Sequence, residues 1–276
     1  MELIQAIVLG IIQGFTAWIP VSSKTQVIIF GTLLYQIPYS TLLAFALALH
    51  VGDIIALVVL FRKDLLSMLS VRPALSDLKN YSSLDENKRM AYFLAISLAC
   101  SAMVGLPTYL LLRHTLTDLA ASTLLAFAGL LLIGMAALMY FSKAASGKGE
   151  AGIRAAVLTG LAQGLAVLPG ISRSGITESA MLLQNIDQAR AVRLSFLMGL
   201  PLIVAAVVMF NFTDGYGSLN LTLVAAGIVA STVTAYATMS FMLELAKRIK
   251  FYWFALILGL IALLPFILGM VFHLGV

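Results

Sequence analysis

Gln13-Gly14-Phe15-Thr16-Ala17-Trp18-Ile19-Pro20-Val21-Ser22-Ser23-Lys24-Thr25 returns, half a chain later, as Gln163-Gly164-Leu165-Ala166-Val167-Leu168-Pro169-Gly170-Ile171-Ser172-Arg173-Ser174. Each copy runs from Gln-Gly through a short apolar stretch into Pro-x-x-Ser-[Lys/Arg]-[Ser/Thr]. Each therefore sets a cation and several hydroxyls inside an otherwise apolar segment. Polar groups at membrane depth are costly, and their appearance twice in register points to a site rather than to two incidental loops.

The surrounding composition sets the class. The chain is 61% hydrophobic and 11% charged, with mean hydropathy +1.03, against about 25% charged residues in an ordinary soluble domain. The apolar runs are continuous, not alternating, which predicts an all-α integral membrane protein and argues against a barrel. The single cysteine, Cys100, excludes an intramolecular disulfide and reads as packing. The N-terminal Met-Glu-Leu-Ile-Gln lacks the basic flank and small-residue cleavage site of a signal peptide. No zinc-type Cys/His cluster, Gly-rich nucleotide loop or nucleic-acid signature is present in the sequence.

Six stretches are long enough to cross roughly 30 Å of hydrocarbon: 41–62, 89–112, 118–142, 190–210, 219–245 and 250–273. The stretches 3–37 and 153–185 are broken by the Pro-x-x-Ser motifs, and neither half of either is long enough to span. Both are expected to be re-entrant helix pairs with tips buried in protein. With that topology one face collects Arg62, Lys63, Arg72, Lys79, Lys88, Arg89, Lys143, Lys148, Arg154, Arg190, Arg193, Lys247, Arg248 and Lys250. The other face holds Arg113 alone, while Lys24 and Arg173 sit at the tips. The positive-inside rule then puts both termini outside the cell membrane. The repeat units are 1–142 and 151–276. Three crossings each make the second unit inverted, and the two tips are expected to meet near the midplane, as in secondary transporters. The linker 142–150 is a polar turn, and 63–88 is a hydrophilic cytoplasmic loop.

At each tip the second half-helix would direct unpaired N–H groups and the positive end of its dipole at the gap, an arrangement that binds anions, phosphate above all. Lys24 adds a point charge and Arg173 a planar fork. Ser22, Ser23, Thr25, Ser172, Ser174 and Thr177 add hydroxyls, and Gly170 lies in the second tip. The competing reading pairs Lys24 and Arg173 with Asp53 and Glu178 as fold-stabilising ion pairs. Trp18 reads first as packing, and Gly129, Gly134, Gly199, Gly227 and Gly259 as sites of close helix contact.

Pro169-Gly170-Ile171-Ser172-Arg173-Ser174-Gly175-Ile176-Thr177 resembles the Pro-Gly-x-Ser-Arg-Ser-x-x-Thr motif of undecaprenyl-diphosphate phosphatases. Gln13 to Gln26 resembles that family's other motif, [Glu/Gln]-Gly-x-Thr-Glu-Phe-x-Pro-Val-Ser-Ser-Thr-Gly-His. The resemblance covers nearly the whole chain. It implies a polyprenyl phosphate or diphosphate ligand, removal of one phosphate, and a divalent cation, Mg²⁺ or Ca²⁺, where hydrolysis occurs. The cradle residues Ser22, Ser23, Pro20, Pro169, Gly170, Ser172, Arg173, Ser174 and Thr177 carry over. Gln13 is an allowed variant at the first acidic position. Ala17 stands where the family has glutamate, Gln26 where it has histidine, and Lys24 replaces a threonine. Alanine cannot move a proton, and glutamine cannot act as a general base.

Other ionisable groups lie at depth. His50 and Asp53, three residues apart, share a helix face, and Glu178 follows Thr177. Three readings stay open: a relocated metal-and-base set of Glu178, Asp53 and His50, with Ser23 as a nucleophilic partner; a proton relay; or hydrogen bonding of His50 to Asp53 with Glu178 paired to Arg173. Two functions follow: a phosphatase acting on a long-chain polyprenyl diphosphate, or a non-hydrolytic translocator of a polyprenyl phosphate or another anion, proton coupling included. A homodimer is compatible with both.

Overall fold

The computed structural model describes residues 1–19, 23–71, 77, 80–112, 130, 133–134, 136–137, 140, 149–167, 172–213, 215–217, 219–248, 253, 256 and 260. Among these the chain is helical, with no strand. The elements are α1 (Leu3–Thr16), α2 (Ser23–Tyr35), α3 (Tyr39–Leu60), α4 (Arg62–Leu69), a 3₁₀ turn (Tyr81–Ser83) and α5 (Glu86–Leu112). They continue with α6 (Ile153–Gly164) and its 3₁₀ extension (Leu165–Val167), α7 (Arg173–Leu183), α8 (Gln188–Thr213) and α9 (Leu221–Leu245). The expected crossings 118–142 and 250–273 lie almost wholly outside the described residues, as do Pro20, Ser22, Pro169, Gly170 and most of the linker 142–150.

Among the described residues four helices are long and apolar enough to cross a membrane: α3, α5 over Glu86–Leu111, α8 over Gln188–Phe212, and α9. They match the expected segments 41–62, 89–112, 190–210 and 219–245. At about 1.5 Å rise per residue each covers the hydrocarbon thickness. α1 has 14 residues and α6 has 12, too short for that. Local chemistry sets the ends. Glu2 and Gln5 close a capping box on α1. Asn220 accepts from the backbone of Thr222 and Leu223 to start α9. Gln36 and Asn185, with φ of 53° and 59°, turn the chain after α2 and α7.

Two matched glycine pairs bring the short helices against long ones. A methyl group on Gly10 or Gly14 of α1 would overlap the carbonyl oxygens of Gly227 or Ser231 on α9. A methyl on Gly160 or Gly164 of α6 would collide with Ser97 or Val104 on α5. In each case Gly-x-x-Gln-Gly supplies the flat face, which small residues provide for close backbone approach. The short helix of each half thus lies against a long helix of the other half. Beneath them Trp18, Phe93, Met181, Phe196 and Met239 share one buried cluster. Leu33, Met103, Leu111 and Phe212 project outward as apolar surface, in keeping with hydrocarbon as the surrounding solvent.

Candidate functional site

The site forms where the two matched segments meet. α7 begins at Arg173, and the Ser172 hydroxyl caps it by accepting from the Gly175 amide at 3.3 Å. Ser172 and Ser174 hydroxyls lie 3.1 Å apart, and Ser174 donates to the Ile19 carbonyl at 3.1 Å. That bond spans 155 residues of sequence and ties the second motif to the first. The Arg173 guanidinium sits over the Trp18 ring, 5.4 Å from its centroid, and its Nη1 donates to the Ser195 carbonyl at 2.8 Å. Trp18 meets Phe196 edge-to-face at 5.0 Å. A stacked, desolvated guanidinium is held more firmly than an exposed one. Thr177 bonds back to the Arg173 and Ser174 carbonyls and lies 2.7 Å from the Ser195 hydroxyl. Ser23 is buried at the start of α2, while Lys24 beside it is exposed.

A second polar group lies on α3. Gln13 Nε2 donates to Asp53 Oδ2 at 2.7 Å and lies 2.9 Å from His50 Nδ1. His50 Nδ1 is 2.8 Å from the same carboxylate oxygen, and Ser231 donates to the other at 3.3 Å. Asp53 is fully buried. The segment from Gln13 to Ile19 touches both groups: Gln13 bonds Asp53, Trp18 lies under Arg173, and the Ile19 carbonyl accepts from Ser174. Glu178 is buried, with neither carboxylate oxygen hydrogen-bonded among the described residues.

These contacts sort the sequence readings. His50 and Asp53 do meet. The ion pairs of Lys24 or Arg173 with Asp53 or Glu178 are not formed among the described residues: Asp53 is taken by Gln13, His50 and Ser231, and Arg173 by Ser195 and Trp18. Gly199, read as a helix-contact glycine, instead makes room for arginine, because a methyl there would overlap the Arg173 guanidinium. Gly227 does pack helices, against Leu49, Phe45 and Ala6. Ser195 and Ser231 join the site unforeseen; one is a lone hydroxyl ahead of an apolar run and the other the first of the three hydroxyls Ser231, Thr232 and Thr234, and each is a weak signal.

Among the described residues the acidic and imidazole side chains do not by themselves form a site for a resident divalent cation. Among the described residues no three His, Cys, Asp or Glu side chains converge on a metal-holding position, so Glu178 does not complete a set with His50 and Asp53. The Gln13 amide also covers Asp53 Oδ2, where a cation would need to bind.

The fold and site define a helical membrane protein with a half-buried arginine at a capped helix N-terminus. Comparison of sequences places it further. The family described as bacitracin resistance protein BacA matches residues 6–264. An undecaprenyl-diphosphatase of Haloarcula marismortui is 33% identical over 257 residues, covering 92% of this chain and 93% of its own. One of Methanococcoides burtonii is 31% identical, covering 97% and 100%, and one of Geotalea daltonii is 33% identical, covering 95% and 98%. The chain belongs to this undecaprenyl-diphosphatase family.

Proposed function

We propose that this protein holds the phosphate head group of a polyprenyl phosphate or diphosphate at the start of α7 and removes the terminal phosphate of the diphosphate. The observation that carries the reading is the Arg173 guanidinium. It is stacked on Trp18, anchored by Ser195 and flanked by Ser172 and Ser174, at a capped helix N-terminus joined to the first motif through Ile19. Its family supports the same ligand. Ser22, Ser23, Lys24, Gly170 and Thr177 complete the proposed cradle. A divalent cation, where needed, arrives with the diphosphate.

The topology proposed with it has six crossings and two re-entrant pairs in inverted repeats, 1–142 and 151–276, within the plasma membrane and with both termini outside. The mutual packing of α1 on α9 and α6 on α5 supports it. Cysteines introduced at Lys88 and Lys247 should then react only with reagent on the cytoplasmic side; labelling from outside would refute the orientation.

A second reading, non-hydrolytic translocation of the lipid phosphate, is favoured by Ala17 and Gln26 and by the amide that covers Asp53. Phosphate release from a long-chain polyprenyl diphosphate by the purified protein, with Mg²⁺ or Ca²⁺ and then with chelator, separates the two. Release that Arg173→Ala abolishes supports the phosphatase. Binding without release, beside an active relative, supports the translocator, and unaltered affinity in Arg173→Ala removes both.

A further inference from the structure

Gln13 Nε2, His50 Nδ1 and Asp53 Oδ2 form a nearly equilateral triangle with sides of 2.7, 2.8 and 2.9 Å. The two N–H bonds of an amide diverge by about 120°, so they cannot both point along the narrow angle toward the two neighbours. The shorter side assigns one of them to Asp53. Turning the amide over would set its oxygen against the carboxylate. The remaining 2.8 Å contact between His50 Nδ1 and Asp53 Oδ2 then requires a proton of its own. A neutral imidazole meets that need as its Nδ1–H tautomer, which donates to the carboxylate and leaves Nε2 unprotonated.

We propose that His50, fixed by Asp53 as the Nδ1–H tautomer, presents its Nε2 lone pair as the proton acceptor of the anion site, supplying from α3 the imidazole that Gln26 lacks. A buried carboxylate that orients an imidazole in this way is a recurrent means of making a base. Asp53 is the positioning residue; Gln13 and Ser231 hold it in turn. Asp53 is fully buried while His50 retains 16% side-chain exposure, so the carboxylate is sealed and the ring is not. Gln13 lies five residues before Trp18, the platform under Arg173, on the segment whose Ile19 carbonyl accepts from Ser174.

The role rests on the hydrolytic reading above. Water gives a proton to His50 Nε2 as its oxygen bonds to the terminal phosphorus. The bond from that phosphorus to the bridging oxygen breaks, and its electron pair leaves with the polyprenyl phosphate. The products are the monophosphate and inorganic phosphate, and the imidazolium returns its proton to solvent.

The test is ¹⁵N-histidine NMR of the full chain in lipid nanodiscs. The chain has 3 histidines, and the His50 signals are those lost in His50→Gln. The expected result is a protonated Nδ1 and an unprotonated Nε2; the reverse tautomer in the wild-type protein overturns the proposal. With polyprenyl diphosphate, His50→Gln should lower kcat for phosphate release by about 10²- to 10⁴-fold with KM little changed. Release at the wild-type rate in His50→Gln overturns the role of His50 alone. A wild-type protein that binds the lipid and releases nothing overturns the hydrolytic reading, and the proton-transfer role falls with it.

Discussion

Gly199 of α8 is the space in which the Arg173 guanidinium of α7 lies: a methyl group built on Gly199 would overlap Cζ and both terminal nitrogens of that arginine. The atoms in the way are the far end of a flexible side chain, so the arginine gives way before the helices do. Gly199→Ala should therefore cost little stability. It should weaken binding of a polyprenyl phosphate by tenfold or more, because the displaced guanidinium loses the Ser195 carbonyl and the Trp18 face together. Paired measurements of lipid affinity and thermal unfolding in detergent check this; wild-type affinity would mean that the arginine does not contact the head group.

Arg173→Lys keeps the charge and removes the fork. Lysine is a point charge, without the planar group that stacks on Trp18 or bonds in two directions at once. The expected outcome is a loss of head-group affinity close to that of Arg173→Ala, read by the same titration. Full rescue by lysine would reduce the site to simple charge attraction.

How far this site was legible from sequence depends on the kind of contact. The repeated Pro-x-x-Ser segments announced Arg173, Ser172 and Ser174 because a cation in an apolar run has few structural excuses. His50 and Asp53 were legible as a pair because helix spacing of three puts them on one face. Gln13 was read only as a substituted acidic position, since nothing local says that its amide reaches 40 residues along the chain to Asp53. Gly199 was misassigned for a similar reason: a small residue in a membrane helix looks the same whether a helix or a guanidinium fills the space beside it. The expected ion pairs failed because neutral partners had already satisfied two of the charged groups: Gln13 and Ser231 donate to Asp53, and the Ser195 carbonyl accepts from Arg173.

Glu178→Gln separates cost from use. A buried carboxyl group with no hydrogen bond among the described residues has no bond there for a neutral amide of the same shape to lose. The substitution should leave the unfolding temperature unchanged or raise it. If Glu178 takes part in the reaction, phosphate release falls in a protein that is no less stable. If release is unchanged, the carboxyl group is outside the reaction. A marked loss of stability would show instead that it has a structural partner.

Gly14→Leu and Gly164→Leu test the interlocked packing. The first would drive a side chain into the Ser231 carbonyl and the α9 backbone, the second into Val104 and Ser101 of α5. Backbone cannot yield as the arginine end does, so each helix pair must separate. Overpacking of this kind costs about 1–3 kcal/mol or more. Both variants should therefore unfold at lower temperature in detergent, by similar amounts. Gly14→Leu should also weaken head-group binding, because α1 carries Gln13 and leads directly to Trp18. Gly164→Leu should do the same from the other side, because the segment after α6 leads to the Ser172 cap. Loss of stability in only one of the two would refute the equivalence of the halves, whereas loss in both with intact binding would place the site away from the segments that follow the two short helices.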